Sequence, residues 1–169
     1  MDPIFAWIES SALSEWIRGE CLCAFPTIIT IHTICMGLLA GGSSAIDLRI
    51  LGFAPGIPLE RTLGFLPVLW VAFAVNAVTG TILLIAYPTK QLTNPVFYVK
   101  VALIAFAVWL FYRVGKEIAL SPEVEQKSIS GKAKVLAFAS LASWIALIIA
   151  GRLLQYTHKW EMLGVPSLI

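Results

Sequence analysis

Long apolar segments alternate with short polar ones along this chain, and four of the apolar segments reach the length of a membrane span. Residues 21–46 and 62–89 contain no formal charge, the third segment contains only Lys100, and the fourth is uncharged until Arg152. A bilayer core is crossed by a helix of about 20 mostly apolar residues. The pattern therefore predicts spans at about 21–46, 63–87, 95–116 and 133–156. None of them alternates with period two, which favours helices over a barrel.

The polar segments complete the predicted architecture. Asp2 and Pro3 are typical of a helix start, and the apolar residues that follow share a broad face, so a short interfacial helix is expected over about 3–18. The stretch at about 117–132 predicts the one sizeable loop, on the cytoplasmic side. The predicted fold is all-α: an integral membrane four-helix bundle with a short N-terminal interfacial helix, in a single transmembrane domain over 1–169.

Composition excludes a water-soluble fold and narrows the partners. Apolar residues make up 59% and charged residues 13%, against about 25% charged in a soluble domain. The net charge of +2 comes without a basic stripe, so no nucleic acid partner is expected. The expected partners are the lipid bilayer and a homo-oligomer or larger membrane complex, since Gly37 and Gly41 form a GxxxG step that lets helices approach closely.

The distribution of Lys and Arg predicts the orientation of the chain in the membrane. Seven basic residues belong to the first and third connections, and three belong to the opposite side, where both termini lie. The side richer in Lys and Arg is normally cytoplasmic. Both termini are therefore predicted outside the cytoplasm.

A polar layer in the predicted membrane interior carries the main functional hypothesis. His32 lies 12 residues beyond Glu20, which is about 18 Å along a helix and close to the bilayer midplane. Asn76 is near the middle of the second span and is followed by Thr79 and Gly80. One interpretation is that a neutral His32 only ties helices together through hydrogen bonds. The other is that His32 is the axial ligand of a b-type haem, in a redox or small-ligand subunit.

A third interpretation of the histidine helix is copper binding. His32, Cys35 and Met36 stand at i, i+3 and i+4 and so share one face, and soft sulfur ligands beside an imidazole suit Cu(I). Cys and Met are also common packing residues in apolar helices. The second histidine, His158, falls at the edge of the fourth span, which disfavours two histidine ligands from one chain on one iron.

Other polar residues extend the candidate site. Lys100 and Arg152 lie one to two turns inside the membrane, where their side chains either snorkel to the headgroups or hold an anionic group such as a haem propionate. The predicted cofactor-binding residues are His32, Asn76, Lys100, Trp144 and Arg152. Nearer the cytoplasmic surface, ion pairs are expected among Asp47, Arg49, Arg113 and Lys116. No hydrolase, nucleotide or dinucleotide motif is present, so no catalytic residue is assigned and enzymatic activity stays an open question.

The chain resembles an uncharacterised family of small four-helix bacterial inner-membrane proteins. The resemblance covers about residues 5–156 and is carried by Phe25-Pro26, His32, Gly37, Gly41, Asp47-Leu48-Arg49-Ile50-Leu51-Gly52, Thr79-Gly80, Asn94-Pro95, Lys100, Ser143-Trp144 and Ala150-Gly151-Arg152. It implies a multi-pass protein of the bacterial inner membrane, where the termini predicted from the Lys and Arg distribution would be periplasmic, and it implies no activity. The layout is more distantly similar to copper-resistance D-like and cytochrome b561-like proteins, but the chain lacks the paired histidines at matched depth of the latter.

Overall fold

A computed structural model describes residues 3–19, 23–119 and 130–162 of the chain. Within them every regular element is an α-helix, which confirms the predicted all-α class. In chain order the helices are α1 (Pro3–Glu9), α2 (Ala12–Arg18), α3 (Ala24–Leu51), α4 (Leu59–Leu63), α5 (Leu66–Ala86), α6 (Pro88–Leu92), α7 (Pro95–Ala119) and α8 (Gly131–Met162).

Four helical segments are long and apolar enough to cross a bilayer: α3, α4 together with α5, α7 and α8. They overlap the four predicted spans, although α3 begins and ends a few residues later than expected. Their outward faces expose large apolar side chains such as Val78 and Phe138, which suit contact with lipid acyl chains. The chain is therefore a multi-pass membrane protein. The predicted loop at about 117–132 falls mostly outside the described residues.

The long helices form an antiparallel bundle in which α3 is central. It packs against α5 on one side and α8 on the other, and α8 packs against α7. A ring contact of 5.6 Å between Trp70 and Phe111 joins α5 to α7. His32 of α3 contacts Thr79 of α5, whereas Gly42, further along α3, faces Leu69, earlier in α5. The residue further along α3 contacts the residue earlier in α5, so these two helices run in opposite directions.

The N-terminal segment forms two short helices where one was predicted over about 3–18. The break falls at Ser10 and Ser11, because the Ser11 side chain accepts a hydrogen bond from the Ser14 amide and caps a new helix. Ser14 Oγ then donates to the Ala86 carbonyl at 3.3 Å, which ties α2 to the end of α5. Trp7, in α1, remains 75% exposed, as expected for a side chain at the membrane surface.

Small residues of α3 do not all play the expected part in packing. A Cβ built on Gly37 or Gly41 would meet nothing within 4 Å among the described residues, so the GxxxG face points away from the other described helices. A Cβ on Gly42 would lie 2.5 Å from Leu69 Cδ2. The close approach of α3 to α5 thus depends on Gly42, one residue along from the predicted step.

Candidate cofactor site

The predicted polar layer between α3 and α5 is present and has defined hydrogen bonds. His32 Nδ1 lies 3.0 Å from Thr79 Oγ1, and Asn76 Nδ2 donates to the backbone carbonyl of His32 at 2.8 Å. Thr79 is buried, while His32 and Asn76 are half-buried. The structure therefore brings His32 and Asn76 together, as the span arithmetic predicted, and adds Thr79 as the partner of the imidazole.

The contacts of the Thr79 hydroxyl favour the tautomer of His32 that is protonated on Nδ1. Thr79 Oγ1 lies 2.8 Å from the Val75 carbonyl and 3.1 Å from the Asn76 carbonyl, so α5 offers two acceptors for its single proton. With that proton donated within α5, the oxygen accepts a hydrogen bond from Nδ1. In a neutral imidazole Nε2 then keeps its lone pair. A metal-ligating histidine is commonly oriented in this way, by a hydrogen bond from the nitrogen that does not bind the metal.

The imidazole lies against α5 because residue 80 has no side chain. A Cβ built on Gly80 would be 3.1 Å from His32 Cε1 and 3.7 Å from Nδ1. The contact with Cε1 is tighter than ordinary carbon contacts of about 3.5–4.0 Å. Gly80 therefore sets how closely the ring can approach the Thr79 hydroxyl. The sequence shows Thr79 and Gly80 three and four residues after Asn76, but spacing along one helix cannot tell which of them faces His32.

Lys100 brings a positive charge to the same region from α7. Its side chain is half-buried, and it lies close enough for its charge to act on His32. Within the described residues Lys100 forms no ion pair. The arrangement chemically suits an anionic group next to the imidazole, because a half-buried ammonium without a carboxylate partner is costly in an apolar setting.

Two other residues of the predicted cofactor set lie on α8. Trp144 is 5% exposed and belongs to the core, and Arg152 is exposed. Across the described part of the chain, neither makes a hydrogen bond with His32. The structure thus groups His32 of α3 with Asn76 of α5 and Lys100 of α7. Trp144 and Arg152 lie on α8, without a described hydrogen bond to the imidazole.

The proposed sulfur ligands lie one turn further along α3. Cys35 is a free thiol that packs against the core, and Met36 is half-buried. Among the described residues, no three side chains of the types His, Cys, Asp and Glu come together as metal ligands. The copper interpretation therefore still depends on the sequence spacing of His32, Cys35 and Met36.

The predicted ion-pair cluster around Asp47 is wrong. Arg49 donates to the backbone carbonyls of Pro55 and Ile57, and the Arg113 guanidinium lies over the Trp109 ring at 5.7 Å. Asp47 is instead 2% exposed and points into the bundle. Arg49 follows Asp47 by two residues, so the two side chains leave the helix about 200° apart and cannot meet.

Comparisons with models of known protein families, with characterised proteins and with solved structures found no match. The resemblance to the bacterial inner-membrane family stays a prediction from the quoted residues. The fold and the polar layer define a multi-pass helical membrane protein whose central helix α3 holds a histidine that is oriented by its neighbour α5.

Proposed function

We propose that this protein binds a b-type haem through Nε2 of His32 and serves as a redox or small-ligand subunit in the membrane. The observation that carries the proposal is the bond between His32 Nδ1 and Thr79 Oγ1, 3.0 Å long. It leaves Nε2 as the unprotonated nitrogen, which is the atom an iron requires. A mid-bundle histidine with its other nitrogen fixed is how helical bundles commonly hold haem.

The chemistry of the surrounding residues fits the group. His32 would ligate the iron, and the Lys100 ammonium would pair with a propionate, since a half-buried cation without a carboxylate partner favours an anion. Asn76 would hold α3 against α5 by its bond to the His32 carbonyl. When bound, haem supplies one-electron transfer or a site for a small ligand.

The direct test is a reduced-minus-oxidised visible spectrum of the detergent-purified protein, with a pyridine haemochrome assay on the same sample. We expect a Soret band with sharp reduced α and β bands. His32→Ala should abolish the spectrum. The matched control is His158→Ala, because His158 is the only other histidine in the sequence, and it should retain haem. A flat wild-type spectrum from folded protein, supplied with haem during expression, would refute the proposal.

The role of Thr79 gives a second and more specific test. Thr79→Val removes the acceptor for His32 Nδ1 and keeps the shape of the side chain. Loss of such a partner typically lowers metal affinity by about 10–100-fold. Thr81→Val is the control, because Thr81 Oγ1 bonds only within α5, to the Ala77 carbonyl at 2.9 Å. Equal haem retention in both variants would mean that Thr79 does not orient the ligand.

A non-enzymatic scaffold or accessory subunit is the second candidate. It is favoured by the fact that both bonds at His32 join α3 to α5. In this case the protein is colourless, and His32→Ala lowers stability by about 0.6 kcal/mol, because it removes the bond to Thr79 and keeps the backbone carbonyl that accepts from Asn76. A colourless protein that binds copper, and loses it on substitution of Cys35 or Met36, would support the copper interpretation in its place.

We further propose that the protein lies in a bacterial inner membrane with both termini in the periplasm, and that copies associate through the exposed face of Gly37 and Gly41. The excess of Lys and Arg in the first and third connections supports this orientation. Reporter fusions to each terminus test it. Cross-linking in native membranes tests association, which a bulky Gly41→Leu substitution should reduce.

A further inference from the structure

The interface of α3 with α8 contains a group of buried polar side chains that is separate from the histidine site. Ser43 and Asp47 stand one turn apart on α3, and Ser140 and Trp144 stand one turn apart on α8. Their exposed fractions are 1%, 2%, 1% and 5%. Ser140 is the polar side chain that faces the Asp47 carboxyl.

Four atoms of this group have no hydrogen-bond partner among the described residues: Ser43 Oγ, Asp47 Oδ2, Ser140 Oγ and Trp144 Nε1. Burying one polar group without a partner costs about 1–3 kcal/mol. A buried serine in a helix can donate to the backbone carbonyl one turn earlier, and Ser143 Oγ does so, to the Ala139 carbonyl at 2.7 Å. Ser43 and Ser140 do not bond in this way, so their hydroxyls are available to a ligand.

No basic side chain neutralises Asp47. Across residues 3–19, 23–119 and 130–162, no Lys, Arg or His nitrogen lies within 4.0 Å of its carboxylate. Arg49 of α3 and Arg113 of α7 have other contacts. A buried carboxylate in an apolar bundle is stable only when it is paired, protonated or bound to a cation.

We infer that Ser43, Asp47 and Ser140 form a binding site for a monovalent cation between α3 and α8. One carboxylate contributes a single negative charge, and the two hydroxyls contribute neutral oxygens. Hard cations prefer such oxygen ligands, and a divalent ion normally takes further carboxylates. Water bound to the ion would accept the hydrogen bond of Trp144 Nε1. A proton on Asp47 would neutralise its charge, but it would supply no acceptor for the unpartnered Trp144 Nε1.

The test is thermal unfolding of the full-length protein in detergent, with sodium replaced by choline at constant ionic strength. Ligand binding to the folded state raises its stability with the logarithm of ligand concentration. We expect the midpoint to rise with sodium, and choline to have no such effect. Retention of radioactive sodium on the purified protein gives a direct second measurement that does not depend on unfolding.

Three variants assign the effect to the site. Asp47→Asn keeps the shape of the side chain, and should abolish sodium binding and raise the midpoint measured without sodium, since it removes an unpaired charge. Ser140→Ala should weaken apparent sodium affinity roughly tenfold. Ser143→Ala, whose hydroxyl is already bonded within α8, should leave it unchanged.

Two results would overturn the inference. One is a wild-type midpoint and sodium retention that do not respond to sodium, which would mean that Asp47 is neutralised by a proton. The other is an unchanged sodium response in Asp47→Asn or in Ser140→Ala. The experiments need no haem, so they stand or fall separately from the proposal for His32.

Discussion

Replacing Gly42 by alanine should destabilise the protein, because α3 and α5 approach too closely at that point for a methyl group. The added Cβ would lie 2.5 Å from Leu69 Cδ2, 3.2 Å from Cδ1 and 3.4 Å from Cγ. Ordinary carbon contacts are about 3.5–4.0 Å, so the nearest Leu69 methyl would have to move by about 1 Å. Leu69 is 3% exposed and belongs to the core, which leaves it little room.

The expected size of the effect combines two opposing contributions. Overpacking a core by one methyl group costs about 1–3 kcal/mol, and alanine gains up to about 1 kcal/mol over glycine within a helix. We therefore expect Gly42→Ala to lower the free energy of unfolding by up to about 2 kcal/mol. Gly41→Ala is the matched control, since a Cβ there meets nothing within 4 Å. It should be neutral or slightly stabilising.

Equilibrium unfolding in mixed micelles, followed by the helical circular dichroism signal, measures both variants. A double-mutant cycle with Leu69→Ala sharpens the test. That substitution alone should cost about 2–5 kcal/mol, and Gly42→Ala should cost less in its background by a coupling energy of about 0.5–3 kcal/mol. Equal stability of Gly42→Ala and Gly41→Ala, or strictly additive costs with Leu69→Ala, would refute the close approach.

Three further substitutions test the contacts around the bundle. Asn76→Leu removes the bond to the His32 carbonyl and should cost about 0.6 kcal/mol in the same unfolding assay, and no loss would contradict an interhelical bond. Ser14→Ala should speed amide exchange in α2 by freeing it from the end of α5, whereas Ser10→Ala, at an exposed local bond, should not. Gly80→Val should displace the His32 ring and change its nitrogen chemical shifts, since a Cβ at residue 80 would lie only 3.1 Å from His32 Cε1. Unchanged shifts would contradict that contact.

The sequence predicts the depth of a residue in the bundle better than the side of the helix that it faces. Charge-free length is enough to find the four spans, because a bilayer fixes the length of a helix but not its rotation. The same arithmetic placed His32 and Asn76 at one level, where they do meet. It could not tell that Gly42, rather than Gly41, faces α5, because successive residues differ by about 100° around the axis and both are glycine.

The prediction for Asp47 failed for a related reason. Basic residues at one level suggested an ion-pair cluster, but level alone does not bring side chains together. Arg49 has donor groups suited to the turn after α3, where the carbonyls of Pro55 and Ile57 lack helical partners, and it bonds there. Asp47 faces α8 together with Ser43. Their one-turn spacing is visible in the sequence, but only the packing of α8 against that face shows that both are buried.

The two polar groups of α3 differ in how they are satisfied, and this difference separates their roles. His32 bonds to Thr79 through Nδ1, and its backbone carbonyl accepts a hydrogen bond from the Asn76 side chain of α5, so the protein alone can hold it in place. The Asp47 Oδ2 atom has no hydrogen-bond partner within the described chain. They lie 15 residues apart along α3, or about 22 Å. Sites so far apart usually contribute additively to stability, within about 0.3–0.5 kcal/mol. His32→Ala should therefore leave the sodium response intact, and Asp47→Asn should leave any haem spectrum intact. Coupling well above that limit would mean that one helix movement serves both sites.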